Sequence, residues 1–78
     1  MKMLYIAKVD ADNVSDYLTT PDASQLADLL RVADIRTGGD GVARVYEIEE
    51  APIGREQGTI TLLACGTIND CIKTLKEL

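Results

Sequence analysis

The chain has no histidine, no tryptophan and no phenylalanine, and only two cysteines and two prolines. Each absence removes a class of function. Without histidine there is no imidazole to act as a base near neutral pH or to pair with a cysteine nucleophile. A catalytic centre would have to come from carboxylates, tyrosine or cysteine alone. A bilayer-spanning helix needs about 20 mostly apolar residues, and no such run occurs. The opening Met1-Lys2-Met3-Leu4-Tyr5-Ile6-Ala7-Lys8 is too short for a signal peptide and is broken by Lys8. No membrane partner is expected. Two cysteines without a secretion signal point to a reducing, cytoplasmic setting with free thiols.

What is present is an ordinary globular composition. Hydrophobic residues make up 46% and charged residues 27% of 78 residues, which excludes the low-hydrophobicity, high-charge pattern of disorder. One domain over 1–78 follows from the length. A domain near this size buries only about 60–65% of its unfolded surface, so its core is small and pairing into a homodimer would help it. The net charge of −5 speaks against direct nucleic-acid contact, which needs clustered Lys and Arg. It leaves room for a protein partner with a basic groove.

Alternation predicts a strand over 3–9, with Met3, Tyr5, Ala7 and Val9 on one face and Leu4, Ile6 and Lys8 on the other. Apolar residues on both faces suit a central, largely covered strand. Residues 10–19 read as polar and turn-rich, with one helical turn built on Val14, Tyr17 and Leu18. Thr20-Pro21-Asp22 predicts a helix start, Thr20 capping and Pro21 in the first position. Leu26, Leu29, Leu30 and Ala33 form its apolar face. The helix is expected to end near Ala33 or Asp34, before Thr37-Gly38-Gly39-Asp40-Gly41. Val42–Glu49 and Thr59–Cys65 read as a hairpin joined by a long loop, 50–58, and Thr67 caps a last helix with Ile68, Cys71, Ile72, Leu75 and Leu78 as its stripe. In the third strand Ile60, Leu62 and Ala64 are expected on one face, with Leu63 and Cys65 on the other.

The fold class is therefore α+β. The expected architecture is a two-layer sandwich, β-α-β-β-α, with a three-stranded, mainly antiparallel sheet and two helices on one face. The first two strands would form a parallel pair by crossover. The exposed sheet face and any open edge are candidate partner surfaces.

Three motifs invite chemistry and are better read otherwise. Asp10-Ala11-Asp12-Asn13-Val14-Ser15-Asp16 begins like a calcium loop, but Val14, Ser15 and Pro21 stand where an oxygen ligand, glycine and glutamate are needed. Thr37–Gly41 follows a helix and opens a strand, the reverse of a phosphate loop, and lacks the lysine. Cys65 and Cys71 are six apart, which is no redox pair, and two thiols alone make no zinc site. No cofactor, metal or catalytic residue is expected, and the chain reads as non-enzymatic. The candidate partner-binding residues are Asp10, Asp12, Asp40, Glu47, Glu49 and Glu50, together with Arg55 and Glu56 at the tip of the long loop.

The strand Met3–Val9, the helix Pro21–Ala33 and the hairpin Val42–Cys65, with acidic Asp10, Asp12, Asp16, Asp40, Glu47, Glu49 and Glu50, resemble the small phage- or mobile-element-encoded anti-CRISPR proteins. That resemblance implies a non-catalytic inhibitor or accessory factor that binds a basic surface of a nucleic-acid-handling complex. The competing expectation is a dimeric protein that binds or sequesters a nucleotide or metabolite.

Overall fold

The computed structural model describes residues 3–12, 14–50 and 58–78. Its elements run β1 (Met3–Ala11), β2 (Val14–Thr20), α1 (Ala23–Arg36), β3 (Val42–Glu49), β4 (Thr59–Thr67) and α2 (Ile68–Lys76). The class is α+β, but the sheet has four strands rather than three, in the order β2-β1-β3-β4. Every neighbouring pair is antiparallel.

The additional strand is the segment expected to be turns and one helical turn. Val14, Thr19, Thr20 and Tyr17 favour a pleated surface over a helix. The three apolar positions that fit a helical spacing are outweighed by a full period-2 pairing, in which Lys8 lies opposite Tyr17, Ala7 opposite Leu18 and Tyr5 opposite Thr20. Ala11 pairs with Val14, and Asp12 at the turn takes φ 43°, a left-handed conformation that aspartate tolerates. Because β2 reverses the chain once more, β3 runs antiparallel to β1, and the expected parallel pair does not form.

Asp22, not Thr20, caps α1: its side chain accepts a hydrogen bond from the Ser24 N–H at 2.9 Å. Thr20 ends β2 instead, buried, with its hydroxyl donating to Gln25 Oε1 at 2.8 Å. The helix runs past Asp34 to Arg36 and ends where glycine, the residue best suited to a left-handed turn, first occurs. Gly38 and Gly39, at φ 67° and 84°, provide that turn. Thr67 caps α2 as expected, accepting from the Asp70 N–H at 3.2 Å.

Both helices cover the same sheet face. Ala7 and Val9 of β1, Ala43 and Val45 of β3, Leu26, Ala27 and Leu30 of α1, and Ile68, Cys71, Ile72 and Leu75 of α2 form one buried cluster. Leu29 and Leu78, expected in the apolar stripes, are exposed at its margin. Each fully buried leucine contributes roughly 2–5 kcal/mol relative to alanine.

Candidate functional site

The face of the sheet opposite the helices is built by the even-numbered residues of β1 and β3. Strand pairing arranges them in rows across the sheet. Ile6, Tyr46 and Leu62 form one row, and Leu4, Ile48 and Ile60 the next. These six apolar side chains make a block three strands wide, about 14 Å across at the usual strand spacing. Leu62 and Ile60 on the outer strand are 54% and 69% exposed, and the other four are half-buried by their neighbours within the sheet. Among the described residues no element packs on this face. Contiguous apolar residues bordered by polar ones make this face a candidate contact surface.

Above the block lies a polar row, Tyr17–Lys8–Arg44–Cys65, and beyond it Ser15–Asp10–Val42–Thr67. Lys8 Nζ stands 3.9 Å from Asp10 Oδ2. Arg44, one strand over, has no carboxylate at ion-pair distance among the described residues. Its guanidinium pKa is raised by Cys65 first and by Tyr46 second, so it is a fixed positive charge on the face. Cys65 reaches this row only through an irregularity of β4. Val45 lies opposite Ala64 and Tyr46 opposite Leu62, so Leu63 is an extra residue. The bulge shifts the parity of the residues after it. Cys65 joins Ile60 and Leu62 on the open face, and Ala64 turns to the core side, the reverse of the expected assignment.

The expected acidic residues do not converge. Asp10, Asp12 and Asp40 sit where β1 ends and β3 begins, whereas Glu47, Glu49 and Glu50 sit at the opposite end of β3. The two groups are separated along the strands by about five residues or more, roughly 17 Å at 3.3 Å per residue. Glu47 and Glu49 face the helix side beyond the helices, paired with Tyr5 and Met3. Glu50 lies at the rim of the apolar block, lining a surface hollow at the sheet's end with Ile48, Glu49, Gly58 and Ile60. Arg55 and Glu56 lie outside the described residues.

The calcium-like sequence is also dispersed. Asp10 is on the open face, Asp12 in the turn, and Asp16 on the helix side opposite Val9. Among the described residues no three acidic or cysteine side chains come together as a metal site. A cleft of about 270 Å³ between the β1–β2 turn and the end of α1 is lined by Asp12, Asp16 and Arg36 with Val9, Ala33 and Thr37. Cys71 is buried, its thiol donating to the Ala43 carbonyl at 3.5 Å. Burial first, then Cys65 and Asp70, push its pKa up.

Sequence reasoning misses the open face as the leading feature because the apolar even positions of β1 suit a covered surface equally well. The available signal is an imbalance. Two strands carry apolar residues on both sides, and two short helices on one side leave the other side bare. Comparison with protein-family models, curated proteins and solved structures finds no match to this chain.

Proposed function

We propose that this chain is a non-enzymatic protein-binding module whose contact surface is the open sheet face. The observation that carries this reading is the two-row block of Leu4, Ile6, Tyr46, Ile48, Ile60 and Leu62, apolar and without cover among the described residues. An aliphatic block containing a tyrosine and rimmed by Arg44 has the make-up of an interface centre. The role of inhibitor or accessory factor, as in the anti-CRISPR proteins, belongs to this reading. The two acidic ends would then steer encounter with a basic partner rather than form the contact. The small-molecule reading draws less support, because the Asp12/Asp16/Arg36 cleft, about 270 Å³, falls short of the roughly 300–1,000 Å³ of ligand pockets, and the larger hollows at Ile48/Ile60, about 450 Å³, and at Thr20/Val32, about 410 Å³, are wide open to solvent.

The test is site-specific photo-crosslinking in lysate of the native host. A crosslinking side chain at position 62 should join the chain to a protein. The same group at the exposed helix position 73 should not. Equal capture from both positions would remove the open face as the contact surface.

A further inference from the structure

The rows of the open face fit a second copy of the chain. We infer that this face is closed by a copy of itself, across a two-fold axis lying between the rows Ile6–Tyr46–Leu62 and Leu4–Ile48–Ile60, so that Arg44 of each copy meets Glu50 of the other. The inference rests on the open face being a protein contact surface, and it names the partner.

The geometry is that of an isologous contact, in which residue i meets j and j meets i. Successive rows are two residues apart along the strands, about 6.8 Å. An axis perpendicular to the strands and between the two apolar rows places each apolar row over the other. The next row outward on one side holds Lys8 and Arg44. The next position on the other side holds Glu50, beside Ile48 and Ile60. The same rotation lays these two over each other, twice. Lys8 already has Asp10 at 3.9 Å, whereas Arg44 has no carboxylate partner among the described residues.

Charge favours this face over the rest of the surface. The chain carries −5, so two copies repel in general. On the open face Lys8 and Arg44 balance Asp10 and Glu50, so the described part of this face carries no acidic excess. The area also suits a dimer of modest strength. Four overlapping rows on three to four strands cover on the order of 400–500 Å² of each sheet. The total is then about 800–1,000 Å², at the low end of specific interfaces, where weak and transient contacts lie. Two sheets packing about 10 Å apart, with strands about 30° off parallel, are a standard sandwich.

Sedimentation velocity across about 1 to 500 µM protein tests the inference, since association of this strength populates both states in that range. Wild type should pass from monomer to dimer. L62K should stay monomeric. R44E and E50R, both at exposed positions, should each weaken the dimer by about tenfold or more, from two lost pairs replaced by like-charge contacts. Mixing R44E with E50R should restore association, because every contact across that heterodimer is again of opposite sign, and the double variant R44E/E50R should recover it alone. Wild type that remains monomeric overturns the inference, as does a dimer indifferent to L62K. Failure of the mixture and the double variant to associate overturns the two-fold arrangement. A monomeric wild type that still crosslinks a foreign protein from position 62 removes the second copy and leaves the contact surface standing. A monomer with no crosslink from that position removes both.

Discussion

Arg44 faces Cys65 across the last two strands because β4 holds one residue more than β3 between their paired positions. Strict alternation would have put Cys65 on the helix side with Leu63. The bulge brings it out beside a guanidinium, while Cys71, on α2, stays wholly buried. The two thiols should therefore differ sharply in the folded protein. An alkylating reagent, with modified peptides mapped by mass spectrometry, should label Cys65 rapidly and Cys71 only at the rate of unfolding. Equal labelling of both would contradict the bulged register.

Cys71 also sets a pH dependence. Its folded-state pKa lies above its ordinary value because burial, with Cys65 and Asp70 nearby, disfavours the thiolate. In the unfolded chain the thiol titrates near about 8.5. Above that pH the unfolded state loses a proton that the folded state keeps. The contribution is thus fully present below the unfolded pKa and is lost as pH rises towards the folded one. Urea midpoints between about pH 7 and 10 should fall more steeply for wild type than for Cys71→Ala, which keeps every other group. Parallel slopes would show that Cys71 is not the group responsible.

A third expectation concerns Gly41, which is buried beneath α2. A methyl group there would lie 2.7 Å from Ile68 Cδ1 and 3.0 Å from Thr37 Oγ1. Ile68 is wholly buried and has nowhere to move without repacking. Gly41→Ala should cost about 1–3 kcal/mol by overpacking. Ile68→Val removes the clashing carbon, so the double variant should be more stable than the sum of the two single losses. Gly38 offers the control. It has open space around it but φ 67°, so alanine there meets only the backbone cost of about 1 kcal/mol, and Ile68→Val should not rescue it. Denaturant melts of these variants decide the matter, and simple additivity at Gly41 and Ile68 would refute the contact.

Much of this fold is written locally, and the parts that are not share one cause. The periodicity of β1 and β3, the Thr67 cap and the stripe Ile68–Cys71–Ile72–Leu75 are visible because each depends on neighbours in sequence. β2 is obscure because its described side chains bury little. Of its side chains Thr20 is buried and Leu18 half-buried, while Ser15, Asp16, Tyr17 and Thr19 are exposed, so no clean alternation of hydrophobicity marks it. Its hydrogen bonds to β1 decide its state, and those are not in the sequence of β2. Asp12-Asn13, residue types suited to a two-residue turn, is the local clue. The parity shift in β4 likewise depends on how Leu62 and Ala64 pair with β3. That the acidic residues are surface groups is legible from their type, but their division between two ends of the sheet follows from the direction of β3, which the additional strand fixes.

The two faces of the sheet give the last expectation. Val45 and Leu62 lie within two residues of each other in the β3–β4 register, yet Val45 is 0% and Leu62 54% exposed. Threonine keeps strand propensity at either place, so the comparison isolates what each side chain packs against. Val45→Thr retains the shape and adds a hydroxyl where no water reaches. It should cost roughly 1–3 kcal/mol. Leu62→Thr, measured near about 1 µM where association is negligible, should change stability by no more than about 0.5 kcal/mol. The same substitution should abolish self-association at high concentration, so that stability and assembly separate at one residue. Equal destabilisation by both threonines in dilute solution would mean that the chain covers its own open face, and the contact surface assigned to it would fall.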